Sequence, residues 1–334
     1  MTTDALLAEA TRGGRVESRH GGAAVAVDGH GRVLFGAGDF EAPEFPRSTV
    51  KAILALPLVE SGSADRLGLD DAELVLACAS HTGEARHVAA AASMLRKAGR
   101  DASCLECGTH WPTSRAASNA LAAQGAMPSS LHNNCSGKHA GFICLACDRG
   151  EATAGYVRPQ HPVMRTVTAA LADLTGAALD KRNRAIDGCG IPTYAIPLRA
   201  LATGFARFGS GEHLAAVRSR AAARLRAAVT ADPFMVAGSG RFDTRMMELF
   251  GARLFSKIGA EGVLAAALPE HGLGIAVKCR DGSSRAAEVA MAALIGRYLE
   301  PTTVQQNTFR DLVNPRLTNW SGEVVGEIRA GPDF

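Results

Sequence analysis

The chain of 334 residues carries 36 basic and 33 acidic side chains, a net charge of +3, too balanced to argue for a nucleic-acid partner on charge alone. With 47% hydrophobic and 21% charged residues, it has the composition of a globular protein able to bury a sizeable core. No apolar run suits a membrane span, and the N-terminal stretch lacks the apolar segment of a secretory signal, so the expectation is a cytoplasmic protein whose eight cysteines are buried thiols, metal ligands or reactive thiols rather than disulfides.

Residues 22–36 read as two short strands turning at Asp28-Gly29-His30-Gly31, because an Asp-Gly pair between apolar runs is a hairpin signal. Pro46 precedes an apolar run, Ser48 to Glu60, that reads as a helix. Pro57 is expected to end or kink it. Asp71 to Cys78 is either a buried strand or the tail of a helix, and it runs into Ser80-His81-Thr82-Gly83-Glu84. Helices are expected over about 84–98 and 113–123, and from Phe142 to Cys147. Just ahead of the last lies a dense polar stretch, Leu131 to Gly141, in which Gly137 and Gly141 free the backbone to turn around a bound group.

His161 to Leu174 and Leu214 to Val229 have helical composition. Between them Asp187-Gly188-Cys189-Gly190-Ile191-Pro192 forms a tight loop whose glycines leave the Cys189 sulfur accessible, and Gly238-Ser239-Gly240 is a further turn. Arg253 to Ile258, Val263 to Leu268 and Gly272 to Cys279 read as strands, Ser284 to Leu299 as the last helix, and the polar final 34 residues as a surface-docked tail. Strands at both ends with helices between give an α+β fold, an antiparallel sheet flanked by helices. One domain over residues 1–334 is expected, with a central helical region over about 60–250 as a second lobe.

Several groupings could carry chemistry. Ser48 and Lys51, three apart, share a helix face, and a neutral lysine can take a serine proton; a helix cap beside a surface lysine explains the same pattern. Ser80 to Glu84 offers hydroxyl, imidazole and carboxylate groups, or simply a cap in which Ser80 or Thr82 starts the next helix. Lys257 sits in a strand beside Gly259, at an active-site edge or as a charge that discourages strand pairing. The two C-x-x-C pairs, Cys104/Cys107 and Cys144/Cys147, fit buried thiols better than a four-cysteine zinc site, since the second lies in an apolar helix. Cys135 and Cys189, among glycines and polar residues, look better as ligands. His132 and His139 are open to roles as ligand, base or buried hydrogen-bonding histidine. Only six of the 36 basic residues are lysines, and arginine cannot serve as a base, so a lysine beside serine or cysteine carries weight here.

Taken together, Pro46-Arg-Ser48-Thr-Val-Lys51, Cys78-Ala-Ser80-His-Thr-Gly-Glu84, His132-Asn-Asn-Cys135-Ser-Gly-Lys138-His139, Asp187-Gly-Cys189-Gly-Ile-Pro192 and Ser256-Lys257-Ile-Gly259 resemble the rhizobial-type L-asparaginase family. The resemblance implies a serine β-lactamase/glutaminase-like fold, hydrolysis of L-asparagine to L-aspartate and ammonia, and a homodimer. It implies two serine–lysine pairs, Ser48 with Lys51 and Ser80 with Lys257, and a zinc ion on Cys135, Lys138 and Cys189. His139 and Arg47 are candidates for the substrate α-carboxylate and Asp187 for its α-ammonium, from charge type and motif position. The Ser-Asp-Asn and Lys-Thr-Gly elements of β-lactamases are absent as such, so penicillin recognition is not implied. Rival readings are a cysteine amidase using Cys135 with His139 or His132, a glutaminase of the same fold, and a non-catalytic zinc-binding protein.

Overall fold

The computed structural model describes residues 4–334; Met1 to Thr3 of the N-terminal stretch lie outside the described residues. The chain opens with β1 (Ala5–Arg12), β2 (Arg15–Asp28) and β3 (Val33–Ala37). Nine helices follow: α1 (Lys51–Glu60), α2 (Asp71–Ala77), α3 (Ala85–Lys97), α4 (Arg115–Ala123), α5 (Ser136–Asp148), α6 (Pro162–Thr175), α7 (Leu198–Ser210), α8 (Ala216–Ala231) and α9 (Phe242–Phe250), with shorter turns between them. Then come β4 (Phe255–Ile258), β5 (Val263–Leu268), β6 (Leu273–Cys279), α10 (Ser284–Gly296), α11 (Gln306–Val313), β7 (Arg316–Thr318) and β8 (Val324–Ala330).

The strands form one antiparallel sheet in the order β7-β8-β1-β2-β6-β5-β4, with β3 also paired to β2. β2 and β6 join the two ends of the chain, from Leu273 opposite Asp28 to Cys279 opposite Gly22. Successive strand side chains point to opposite faces, and both faces are covered. Ala23, Val25 and Val27 pack into the large helical layer with α1, α2, α5 and α7. Ala24 and Ala26 face the smaller layer with α9 and α10. β5 divides in the same way: Val263, Ala265 and Ala267 one way, Leu264, Ala266 and Leu268 the other. The fold is therefore α+β, an antiparallel sheet flanked by helices, as the element pattern implies.

Local details differ from the sequence reading. Asp71 to Cys78 is helix, started by Asp70, whose side chain accepts from the Glu73 N–H while Glu73 accepts from the Asp70 N–H, a capping box. α1 runs through Pro57 to Glu60; packing of its largely buried surface outweighs the lost hydrogen bond. α5 begins at Ser136, so the polar stretch is a helix start rather than a loop. Gly137 serves packing, not turning: a Cβ there would lie 2.3 Å from the Leu76 carbonyl oxygen, so glycine lets α5 lie against α2. β1 and α7 went unread among polar or glycine-bearing residues. The last residues do more than dock, since β8 pairs with β1 and extends the sheet.

Candidate active site

The site forms where α1, the end of α2, the start of α5 and strand β4 converge. Pro46 leads into a single 3-10 turn, Arg47 to Val50, that continues as α1. Ser48 thereby comes one turn ahead of Lys51. Ser80 follows α2, its backbone fixed by donation from its N–H to the Val236 carbonyl at 2.9 Å. Lys257 projects from β4, which is pinned by the fully buried Asp243 of α9. That carboxylate accepts from Ser256 Oγ and the Ile258 N–H, both at 2.8 Å.

Both lysines are buried and both meet Ser80. Lys51 Nζ donates to Ser80 Oγ at 2.9 Å, to the Ala79 carbonyl at 2.8 Å and to the Asn134 carbonyl at 3.3 Å. Lys257 Nζ donates to Ser80 Oγ at 2.8 Å and to the Ile258 carbonyl at 2.9 Å. Burial lowers the pKa of Lys51, and it brings Lys257 down to about 7, against the pull of Asp243, whose carboxylate lies 3.9 Å away. Desolvation penalises the charged amine. Ser80 Oγ is thus held between the two amines at the cleft lining.

The cleft has a volume of about 240 Å³ and is lined by Ser48, Ser80, Asn134, Arg241, Gly259 and Ser284, among others. The Lys51 N–H donates to the Ser48 carbonyl, but among the described residues no side-chain hydrogen bond joins Ser48 to the Lys51 amine, which is bonded to Ser80 instead. A larger cleft of about 560 Å³ lies elsewhere, between His30, Asn183 and Arg207. Its arginines are engaged, Arg207 with the Gly29 and Leu174 carbonyls and Arg199 with Glu41. The smaller cleft is the one with convergent reactive groups.

Next to it lies a buried trio. Lys138 Nζ donates to Cys189 Sγ at 2.9 Å, and a hydrogen bond links the free thiols of Cys189 and Cys135. That bond holds the Cys135 thiol well below its ordinary pKa and raises that of Cys189. Burial pulls Lys138 down, but the two sulfurs outweigh it and the amine is held above its ordinary range. Lys51 bonds Cys135 as well, so trio and cleft are contiguous. Cys189 is buried, not accessible as its flanking glycines suggest: the loop turns inward and seats the sulfur against α5.

Arg47 and Asp187 are brought together, but onto each other, with Arg47 Nε and an Nη both 2.9 Å from Asp187 Oδ1. Arg47 adopts a positive φ of 50°, uncommon for a residue with a side chain. His139 is fully buried and its Nδ1 lies 2.6 Å from the Tyr156 hydroxyl, while Nε2 has no partner. His132 caps its own turn through Nδ1, which accepts from the Ser129 N–H. Neither Ser80 nor Thr82 caps α3. Thr82 Oγ1 donates to Glu84, itself the residue before the helix. His81 Nδ1 accepts from the Gly83 N–H and its Nε2 meets Ser136 Oγ at 2.8 Å; burial keeps it neutral.

The C-x-x-C cysteines stay apart, Cys107 donating to the Ser130 carbonyl and Cys144 to that of Met94. A different group, His20, Cys279 and Asp281, lies within 4.8 Å. Among the wall residues, Arg241, Asn134 and Ser284 were not foreseen. Only Arg241 had a local signal, the glycine turn just before it.

A search of solved structures returns a β-lactamase from Mycobacterium bovis at 16% identity, covering 83% of this chain and 94% of that one, with a TM-score of 0.41. It also returns two structures of Mglu, at 15% identity with TM-scores of 0.36 and 0.37. These cover 82% and 83% of this chain but 66% and 61% of the Mglu chains. No curated protein matches. The profile of the L-asparaginase II family matches residues 8–330. With nearly its whole length matched, the chain belongs to the L-asparaginase II family and is an amidohydrolase of the asparaginase type.

Proposed function

We propose that the protein hydrolyses the side-chain amide of L-asparagine to L-aspartate and ammonia through a serine acyl-enzyme. The observation that carries this reading is Ser80 Oγ held between two buried lysine amines in a cleft that Ser48 also lines. Lys51, neutral in the reactive form, takes the Ser48 proton, and Ser48 Oγ attacks the amide carbon. As the carbon–nitrogen bond breaks, Ser80 gives its proton to the departing nitrogen and is reprotonated by Lys257, so ammonia leaves as a neutral molecule. Water then attacks the aspartyl ester, giving up a proton to the lysine relay, and the Ser48 oxygen departs and regains its proton. Lys257, with a pKa of about 7, is suited to exchanging protons near neutrality.

A second reading exchanges the serines, because Ser80 and not Ser48 carries the lysine hydrogen bonds. Trapping the aspartyl ester at low pH and locating it by mass spectrometry separates the two.

Zinc fits the buried trio. Two thiols and an amine in mutual contact, on a helix start and an inward loop, form a donor set of the kind zinc takes. Cys135, Lys138 and Cys189 would hold it, and bound there it would orient the substrate beside Lys51. His139, on the same helix turn as Lys138 and with Nε2 unpartnered among the described residues, would serve the substrate or the ion's surroundings. Arg47 and Asp187 form the rim beside Cys189, where an amino-acid zwitterion could exchange with their ion pair.

We further propose that residues 1–334 act as one catalytic domain, because the cleft draws residues from both the helical layer and the sheet. Eight free cysteines favour a reducing, cytoplasmic setting. Among the described residues no helix is long and apolar enough to cross a membrane. A homodimer is expected by family membership.

The deciding experiment is ammonia release from asparagine and from glutamine, with and without chelator, on protein of measured zinc content. Faster release from asparagine is the expected result; preference for glutamine would move the reading to a glutaminase. Absence of release from either amide would leave a zinc-binding protein, and alkylation of a zinc-free Cys135 with loss of activity would point to a cysteine amidase.

A further inference from the structure

We infer that Arg241, with Ser284 of the same cleft lining, forms the subsite for the substrate's α-carboxylate. The inference rests on the asparaginase reading of the cleft. Arg241 lines that cleft together with Ser48, Ser80 and Ser284. Its guanidinium makes no ion pair or hydrogen bond with any described residue. Arg47, the arginine of the Ser48 motif, is by contrast bonded to Asp187 through two nitrogens. Of these two, Arg241 is the cation free to take a carboxylate.

The position of Arg241 is built. It closes a turn, Gly238-Ser239-Gly240, that is clamped onto Glu84. Glu84 Oε1 accepts from the Ser239 N–H at 2.9 Å and from Thr82 Oγ1 at 2.8 Å, and Oε2 accepts from Ser239 Oγ at 2.8 Å. Gly238 has φ of 113°, and a Cβ there would lie 2.0 Å from Thr82 Oγ1. The turn can therefore lie flat on Thr82 only as glycine. This explains the carboxylate at the end of Ser80-His81-Thr82-Gly83-Glu84: it anchors the loop that presents Arg241, rather than touching the amide. Of the carboxylates near Arg241, Asp243 is spent on β4, and Glu288 of α10, pushed by burial up to about 7, makes no ion pair with it among the described residues. Ser284, the first residue of α10, adds a hydroxyl to the cleft lining.

A free guanidinium and the reacting serines lining one cleft define the substrate class. It is a short ω-amide carrying a carboxylate, set so that the carboxylate reaches Arg241 while the amide carbon reaches Ser48. Uniform binding of this kind lowers KM more than it raises kcat.

The test compares wild type with Arg241→Ala and Arg241→Lys on L-asparagine and on 3-aminopropanamide, which is asparagine without its carboxylate. Arg241→Ala is expected to raise KM for asparagine at least tenfold with kcat changed less than threefold, and to leave kcat/KM for 3-aminopropanamide unchanged. Arg241→Lys is expected to recover part of the loss, as a point charge without the two-nitrogen fork. Equal loss on both substrates, or an unchanged KM for asparagine, overturns the assignment. Binding of L-aspartate by calorimetry reads the subsite without turnover: it weakens in Arg241→Ala if the subsite is right, and an unchanged affinity overturns it. A wild type that binds aspartate through Arg241 yet releases no ammonia would sink the asparaginase reading alone.

Discussion

A lysine that is to hand on a proton has to be able to lose it within the working range, and at Lys257 burial achieves this despite Asp243 nearby. The reaction starts with the Lys257 amine charged, ready to reprotonate Ser80, so kcat/KM is expected to be level below about 7 and to fall as pH rises through it. A profile flat across that region would remove Lys257 from the proton relay. Lys257→Met is expected to lower kcat by about 10²–10⁴ with binding of aspartate retained, as measured by calorimetry. Ser48→Ala is expected to abolish turnover while asparagine still binds; near-normal activity would exclude Ser48 as nucleophile. At the trio, zinc binding would require the Lys138 amine, held above its ordinary range, to give up a proton, so zinc affinity is expected to strengthen as pH rises, and Cys189→Ala to lose it. Metal titrations followed by elemental analysis check both. Much of this was legible at the residue level because lysine is scarce and each informative lysine stands beside serine or cysteine. What could not be read were partners across the chain. That Lys51 meets Ser80, 29 positions away, follows from α1 lying beside the end of α2, which no spacing encodes. Arg241 was invisible as one arginine among many.

Among the elements, the contact between α2 and α5 sets the distance between Ser80 and the trio. It depends on Gly137, where a Cβ would fall 2.3 Å from the Leu76 carbonyl. Gly137→Ala must push the helices apart, and overpacking of this kind costs about 1–3 kcal/mol. A lowered midpoint in urea unfolding and weaker zinc binding are the expected outcome; unchanged values for both would show that the helices shift without consequence. Helices with amphipathic faces, such as α3 and α6, were readable from sequence. α1 and α5 were harder, since nearly every side chain in them is buried and no polar face marks the period. β1 was missed because Glu9 and Arg12 interrupt its apolar residues, although it lies inside the sheet between β2 and β8.

For the whole molecule, the tail is part of the structure. β8 lies along β1, with Ala8 opposite Ala330 and Ala10 opposite Ile328, and it covers what would otherwise be a sheet edge next to the core. Removing residues 320–334 would bare that edge, and an open edge invites pairing with other chains. The shortened protein is expected to unfold at lower temperature and to scatter light on concentration; an unchanged melting temperature would make the tail dispensable. The general class, α+β with one sheet, could be inferred from strands at both ends, but the order of strands could not. Antiparallel pairing between Leu273–Cys279 and Gly22–Asp28 joins segments about 250 residues apart.

That pairing also governs how the protein is made. A ribosome releases about 5–20 residues each second, so β2 is exposed to the cell for tens of seconds at the slower rates before β6 exists. During that wait Ala23 to Val27, the most apolar part of β2, can pair with β3 but lacks β6 on its other side. Ser48, Lys51 and Ser80 can gather early, but the clasp of Lys257 onto Ser80 comes only in the last quarter of synthesis. Long-range pairing of this kind slows folding, and recombinant yield should therefore respond to growth temperature and to holdase chaperones more than to any single residue of the cleft.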